Sequence, residues 1–314
     1  MTISLLFGVS GFVMAAYAVI ANDSAQTLGT FISSNKETVW WKKWIVMSSI
    51  MVGTLTYAWM TGDISQGRLN TIPLPDTFQW YHGLAPLLLV CLTRIGIPVS
   101  TTILTLSVFS SSFVLEKILM KSAVGYALAA VVAYFLWHGL SYLLNEKESV
   151  PDNQKKGWKV AQWIATGFLW HQWLAHDIAN VSVYLPRGSD LGFELFLVFM
   201  IILIVGLGRL FYTQGGKIQD IVLSKSGTKF VRSATIIDFV YALILWYFKM
   251  YNDIPMSTTW VFVGLLCGRE MAIYRRFNEG KKIKKIFPML VKDFLKMLFG
   301  LALSIILVLC VSYI

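Results

Sequence analysis

Two carboxylates, Asp23 and Asp177, stand at matching places in two short polar segments that interrupt long apolar stretches. A carboxylate at the centre of a membrane helix costs about 2.5 kcal/mol or more, so each needs a partner or a function. Amide and hydroxyl side chains accompany both, and such oxygens suit a hard cation such as Na⁺. The candidate ligands for a cation or proton are Asn22, Asp23, Ser24, Gln26, Asp177 and Asn180.

Asp23 and Asp177 are the metal ligands if the cation is sodium. The alternative is that each carboxylate caps a broken helix or pairs with a basic side chain. Neither segment contains Lys or Arg, and the pattern occurs twice. Both facts favour a cation or proton site over a purely structural role.

Two Pro-x-Ser-Thr-Thr segments, beginning at Pro98 and Pro255, form a second matched pair. Proline ends one helix and is tolerated at the start of the next, so the hydroxyls fall at a helix N-terminus. Free N–H groups and the positive end of the helix dipole attract anions there. The alternative is ordinary capping and hydroxyl bonding to the helix backbone. The duplication favours a tetrahedral oxyanion held by Ser100, Thr101, Thr102, Ser257, Thr258 and Thr259.

The two pairs of motifs indicate an internal duplication. The acidic segments are offset by 154 residues and the Pro-x-Ser-Thr-Thr segments by 157, with similar spacing inside each half. We therefore predict a first repeat over residues 1–144, a cytoplasmic linker over 145–159 and a second repeat over 160–314. The fold class predicted is an all-α membrane protein.

Composition places the chain in a lipid bilayer. It is 56% hydrophobic and 14% charged, whereas soluble domains carry about a quarter charged residues. The net charge of +10 is spread over short loops, which is typical of the positive-inside rule and argues against nucleic-acid binding. Cys91, Cys267 and Cys310 lie singly in apolar segments and indicate neither a disulfide framework nor a zinc site.

Each repeat is predicted to contain three spanning helices, the first broken at mid-membrane around an unwound turn, and one re-entrant helical hairpin. The long first segment covers about residues 3–34, and the hairpins cover 78–118 and 230–272. Because each repeat crosses the membrane three times, the second repeat is predicted to lie in the membrane with the opposite orientation to the first. With both termini outside the cell membrane, predicted inner loops hold 17 basic residues and outer loops 4, which supports this orientation.

At these motifs the sequence resembles the inorganic phosphate transporter (PiT) family, which includes phosphate permeases and some sulfate permeases. Residues 21–26 and 175–180 match its Gly-Ala-Asn-Asp-Val-Ala-Asn signature, and 98–102 and 255–259 match its Pro-Val-Ser-Thr-Thr hairpins. Gly215-Gly216-Lys217-Ile218 also matches a family segment.

The resemblance implies a carrier that imports phosphate by alternating access. It places the coupling ion, Na⁺ or H⁺, on the Asp and Asn/Gln positions and the anion on the Ser-Thr-Thr positions, without a cofactor. His176 replaces the family's Asn, and Ile20 and Leu174 replace its Gly. His176 is therefore expected to bind the anion by a hydrogen bond or to take part in proton coupling.

Two other functions remain open at this stage. The first is a sulfate permease of the same fold, because a hydroxyl cradle fits either tetrahedral anion. The second is a membrane-embedded transferase using His171, His176 and Asp177, which would leave the matching Asn22-Asp23 pair unexplained. A channel would need no coupling carboxylates. The sequence does not decide whether the protein forms a homodimer.

Overall fold

The computed structural model describes residues 3–95, 97, 99–143, 152–215, 231–277 and 283–312. Over these ranges the protein consists of helices and connecting turns, without a β-strand. The all-α prediction is confirmed. Pro98 and residues 216–218 lie outside the described residues.

The first segment is one long helix whose geometry changes at the acidic motif. The helix α1 (Ile3–Ala18) continues as a π-helix (Val19–Ser24) that contains Asn22 and Asp23. Two short helices, α2 (Ala25–Thr27) and α3 (Gly29–Ser34), follow it. The predicted unwound turn is therefore wrong: a π-helical turn, a local widening common at functional sites, holds the motif instead.

The rest of the first half contains four helices: α4 (Trp40–Met60), α5 (Trp80–Arg94), α6 (Thr101–Leu106) and α7 (Ser112–Leu143). The helices α5 and α6 form the first predicted hairpin. With 15 and 6 residues they rise about 22 Å and 9 Å, so neither crosses a bilayer core of about 30 Å.

The described residues of the second half form six helices: α8 (Asp152–Asp177), α9 (Ala179–Ser182), α10 (Phe193–Tyr212), α11 (Val231–Tyr251), α12 (Thr258–Phe277) and α13 (Ile283–Ser312). A 3₁₀ turn (Gly188–Asp190) precedes α10. The break between α8 and α9 falls directly after Asp177. The predicted linker 145–159 is partly helical, because α8 begins at Asp152.

The two hairpins differ in length. The arms of the second, α11 and α12, have 21 and 20 residues, and each rises about 30 Å. The helix α11 is one of four described helices that are long and apolar enough to cross a membrane. The four spans are Ile3–Thr27, Ser112–Leu140, Phe193–Tyr212 and Val231–Tyr251. The protein is therefore an integral membrane protein.

The described helices pack in pairs. The helix α1 packs on α5, α8 packs on α11, and α4 packs on α10. Among the described residues, the most extensive packing joins α7 to α12. The π-helix with the first acidic motif contacts α6 and α10, whereas α8, which ends at the second motif, packs on α11.

Glycines at four-residue spacing bring α12 against α7. A Cβ added at Gly264 would lie 2.3 Å from the carbonyl oxygen of Tyr126, and one at Gly268 would lie 2.0 Å from that of Ala130. This small-xxx-small pattern lets helix backbones approach closely in a membrane.

We expect Gly268→Ala to lower the free energy of unfolding by about 1–3 kcal/mol, because a backbone carbonyl cannot move aside as a side chain can. Gly139→Ala is the matched control, since its Cβ would meet nothing within 4 Å. That change should be neutral or stabilise α7 slightly. Unfolding midpoints in detergent measure both variants, and equal midpoints would contradict the expected contact.

Candidate functional site

The start of α6 lies between the two acidic motifs. Ser100 has an extended backbone, and its Oγ accepts a hydrogen bond from the Ile103 N–H at 3.1 Å, so the helix begins at Thr101. Successive helical residues point about 100° apart. Thr101 therefore faces the first acidic motif, and Thr102 faces the second.

Asn22 connects the π-helix to the first hairpin. Its Nδ2 donates to the Val99 carbonyl at 2.8 Å, to the Asp23 carboxylate at 2.6 Å and to Thr101 Oγ1 at 3.5 Å. Its Oδ1 accepts from Gln26 Nε2 at 3.0 Å. All four of these polar side chains are buried. The amide pair thereby fixes the orientation of Asp23.

The second motif forms a matching cluster around Asp177. Asn180 Nδ2 donates to Asp177 Oδ1 at 3.0 Å and to Thr102 Oγ1 at 3.1 Å. Thr102 Oγ1 lies 3.2 Å from the same carboxylate oxygen and donates to it. Thr258, at the start of α12, also lies beside Asp177. Residues from both hairpins therefore meet at this carboxylate.

Three buried oxygens in these clusters have no hydrogen-bond partner: Asp23 Oδ2, Asp177 Oδ2 and Asn180 Oδ1. A buried, unpaired carboxylate oxygen is costly, and a bound cation or proton satisfies it. Within the described ranges no group of three His, Cys, Asp or Glu residues forms a transition-metal site. Two carboxylates with amide and hydroxyl oxygens instead fit a hard monovalent cation.

The serines of the hairpin motifs act as helix caps. Ser257 Oγ accepts from the Trp260 N–H at 3.2 Å, in the same way as Ser100 does in α6. The Ser257 N–H donates to Ser122 Oγ at 2.8 Å. Thr259 is buried in the same first turn. Both hairpin helices thus begin inside the protein, with their N-terminal ends among buried polar groups.

Two predicted ligands are engaged with backbone carbonyls. The Ser24 hydroxyl donates to the Val19 carbonyl at 3.1 Å. His176 Nε2 lies 2.8 Å from the Leu245 carbonyl of α11, and its Nδ1 is buried without a partner. A contact between His176 and the anion therefore depends on Nδ1.

The three residues considered for a transferase face three different helices. His171 Nδ1 lies 2.9 Å from Thr54 Oγ1 of α4, His176 contacts α11, and Asp177 contacts α6. They do not form a common hydrogen-bonded group, so the geometry gives the transferase hypothesis no support.

A buried cation that no sequence motif indicates holds the second hairpin. Arg68, in the connection between α4 and α5, is fully buried. Its guanidinium donates to the carbonyls of Asn252 at 2.5 Å, Lys249 at 3.2 Å and Ile254 at 3.4 Å, and to that of Ala175 at 3.4 Å.

Lys121 of α7 completes this arrangement. Its Nζ donates to the Ile254 carbonyl at 2.6 Å and to the Asn252 side chain at 2.7 Å. The last carbonyls of α11 have no partners within the helix, and cations near a helix C-terminus also interact favourably with its dipole. Arg68 and Lys121 thus fix the turn immediately before the second hairpin motif. We call Arg68, Lys121 and the 252–254 turn the hairpin clamp.

Arg68 keeps its charge at neutral pH. Burial lowers the pKa of Arg68 to about 10, and the carboxylates of Asp253 and Asp63 act in the opposite direction. The only sequence signal was indirect, because Arg68 is a basic residue in a predicted outer loop, where basic residues are scarce.

A further carboxylate, Asp238 of α11, is buried at a distance from these motifs along the helix. It accepts hydrogen bonds from Thr166 of α8, at 2.5 Å, and from Thr30 of α3. Its two threonine partners carry no recognisable motif in the sequence.

Comparison with solved structures identifies a chain with the same architecture. No protein-family model and no curated protein sequence matches this chain. A structure described as "The sodium-dependent phosphate transporter" aligns over 100% of both chains, with a TM-score of 0.62 and 18% sequence identity. The two proteins share one fold. The resemblance that the four motifs indicated is thereby confirmed for the fold.

Proposed function

We propose that this protein is a cation-coupled secondary transporter that imports a tetrahedral oxyanion, with phosphate as the favoured substrate. The single observation that carries the proposal is the position of Thr101 and Thr102 between Asp23 and Asp177. A helix N-terminus that attracts an anion and carboxylates that attract a cation are thereby brought together. In this proposal the two solutes are coupled because the charge of the bound cation offsets the charge of the bound anion.

Sodium is the favoured coupling ion. The structural neighbour is a sodium-dependent transporter by its description, and the three unpaired oxygens are of the type that Na⁺ takes. Asp23, Asp177 and Asn180 contribute those oxygens, while Asn22 and Gln26 orient Asp23 and Ser24 lies beside it. Protons on the same carboxylates are the alternative coupling ion.

Alternating access is the proposed mechanism. Transporters of this kind bind substrate near the membrane midplane, at the interface of two inverted repeats with discontinuous helices. The paired packing of α1 on α5 and of α8 on α11 supports such a repeat. The hairpin motifs, 100–102 and 257–259, would form the anion site, with access from opposite sides of the cell membrane. In the same proposal, both chain termini lie outside the cell and the protein forms a homodimer.

Uptake of labelled phosphate and sulfate into proteoliposomes tests the function. Each anion is supplied with an inward Na⁺ gradient, with an inward proton gradient and with neither. We expect the Na⁺ gradient to drive phosphate uptake, and excess sulfate to compete weakly. If neither gradient increased the uptake of either anion, the protein would not be a coupled carrier. Sulfate uptake that excess phosphate does not inhibit would assign the sulfate permease function.

His176 supplies a second test of substrate identity. We expect His176→Gln to retain a donor for the Leu245 carbonyl while removing the ring nitrogen Nδ1. If Nδ1 contacts the anion, the KM for phosphate rises while the dependence on Na⁺ stays unchanged. An unchanged KM would restrict His176 to its bond with α11.

A further inference from the structure

A large lateral groove lies between α1, the end of α5 and α10. Its volume is about 820 Å³, within the range of about 300–1,000 Å³ found for ligand sites. Its walls include Val13 and Tyr17 of α1, Arg94 of α5, and Ile201, Val205 and Arg209 of α10. The lining also includes Ile20 and Ala21 of the π-helix, directly before Asn22, but none of the polar residues of the proposed ion and anion sites, so its role does not depend on the proposed function.

The groove opens on the surface that faces lipid. Tyr17, Ile201 and Val205 are 41%, 51% and 64% exposed, and all lie on spanning helices. The floor is formed where α10 meets the π-helix, because a Cβ at Gly206 would lie 2.3 Å from the Ile20 side chain. An apolar molecule lying in the bilayer can therefore enter from the side.

Two arginines line the groove. Arg209 lies in the last turn of α10, and the Arg94 guanidinium lies 6.0 Å from the centre of the Tyr17 ring. The lining residues include no acidic side chain among those the structure describes. The groove therefore combines apolar walls with positive charge.

Aromatic residues place Arg209 at the depth of lipid headgroups. Tyr212, one turn further along α10, packs edge-on against Trp40 with ring centres 5.6 Å apart, and Trp44 packs against Trp40. Trp and Tyr are enriched where hydrocarbon meets headgroups. A lipid whose chain lies along Val13, Ile201 and Val205 would bring its phosphate to this level.

We propose that this groove binds an anionic phospholipid, with an acyl chain on the apolar walls and the headgroup phosphate at Arg209. Basic pockets between membrane helices recognise anionic headgroups through this combination. Guanidinium also pairs with phosphate oxygens in a bidentate geometry. A zwitterionic lipid would gain the same apolar contacts but less from the charge.

Native mass spectrometry of the full chain in mild detergent tests the proposal. Phosphatidylglycerol and phosphatidylcholine with identical chains are titrated separately. We expect phosphatidylglycerol to bind more tightly, and Arg209→Gln to weaken its binding about fivefold while changing phosphatidylcholine little. Val205→Trp places a larger side chain in the groove and should weaken the binding of both lipids. Both positions are exposed, so the fold should tolerate either change.

Lys42→Gln is the matched control, because Lys42 is an exposed cation near the same end of the helices but outside the groove. It should leave phosphatidylglycerol binding unchanged. Equal loss in Lys42→Gln and Arg209→Gln, or equal binding of the two lipids by the unaltered protein, would overturn the proposal. A dimer that dissociates in Val205→Trp would also overturn it, by assigning the groove to a second copy of the chain.

Discussion

Asparagine in place of Asp177 is expected to lower sodium-driven phosphate uptake by a factor on the order of 100. The carboxylate accepts from Thr102 and Asn180 through Oδ1, while Oδ2 has no partner. The substituted amide would keep the size of the side chain and one accepting oxygen but lose the charge. The variant therefore separates cation binding from packing. Initial rates in proteoliposomes at fixed gradients measure the effect.

Asp190→Asn is the control for this change, since Asp190 is exposed in the 3₁₀ turn before α10. Its uptake should match that of the unaltered protein. Asp23→Asn should resemble Asp177→Asn, because the two motifs are proposed to act together. Sodium-driven uptake that survives in Asp177→Asn, with an unchanged dependence on sodium concentration, would exclude the carboxylate from coupling.

Replacing Arg68 by methionine is expected to lower the free energy of unfolding by about 3–5 kcal/mol. The change leaves the carbonyls of Ala175 and Lys249 without their charged donor, while those of Asn252 and Ile254 keep only Lys121. It also leaves Lys121 as the remaining cation of the hairpin clamp. Unfolding midpoints in detergent, or the amount of folded protein after extraction, measure the loss.

Two further variants define what the clamp needs. Arg68→Lys should recover part of the stability, because an ammonium supplies charge but not the planar fork of donors that reaches several carbonyls. Lys117→Met, at an exposed lysine 4.0 Å from the Phe113 ring, should change the midpoint little. If Arg68→Met and Lys117→Met were equally stable, the clamp would not hold the hairpin.

The sequence predicted the all-α membrane class, because that class depends on the length and the hydropathy of the apolar segments. The local backbone geometry could not be predicted from the sequence in the same way. A π-helical turn and an unwound turn satisfy the same hydropathy, so the conformation at Asn22 and Asp23 could not be distinguished in advance.

The roles of individual hydroxyls and cations were also not predictable. Ser100 and Ser257 cap their helices, whereas Thr102 and Thr258 contact Asp177, although all four belong to one repeated motif. Arg68 binds backbone carbonyls, which every residue possesses, so its partners have no signature in the sequence. Tertiary packing alone decides such contacts.

The adjacency of Thr101 and Thr102 has a mechanical consequence. Both residues lie on the first turn of the short, rigid helix α6, which bonds to both acidic motifs. A displacement that separates Thr101 from Asn22 must also alter the geometry between Thr102 and Asp177. In the proposed carrier the short helix would couple the two acidic motifs, so that an ion bound at one would alter the geometry at the other. A carrier with this coupling would suppress slippage, the futile passage of one solute without its companion.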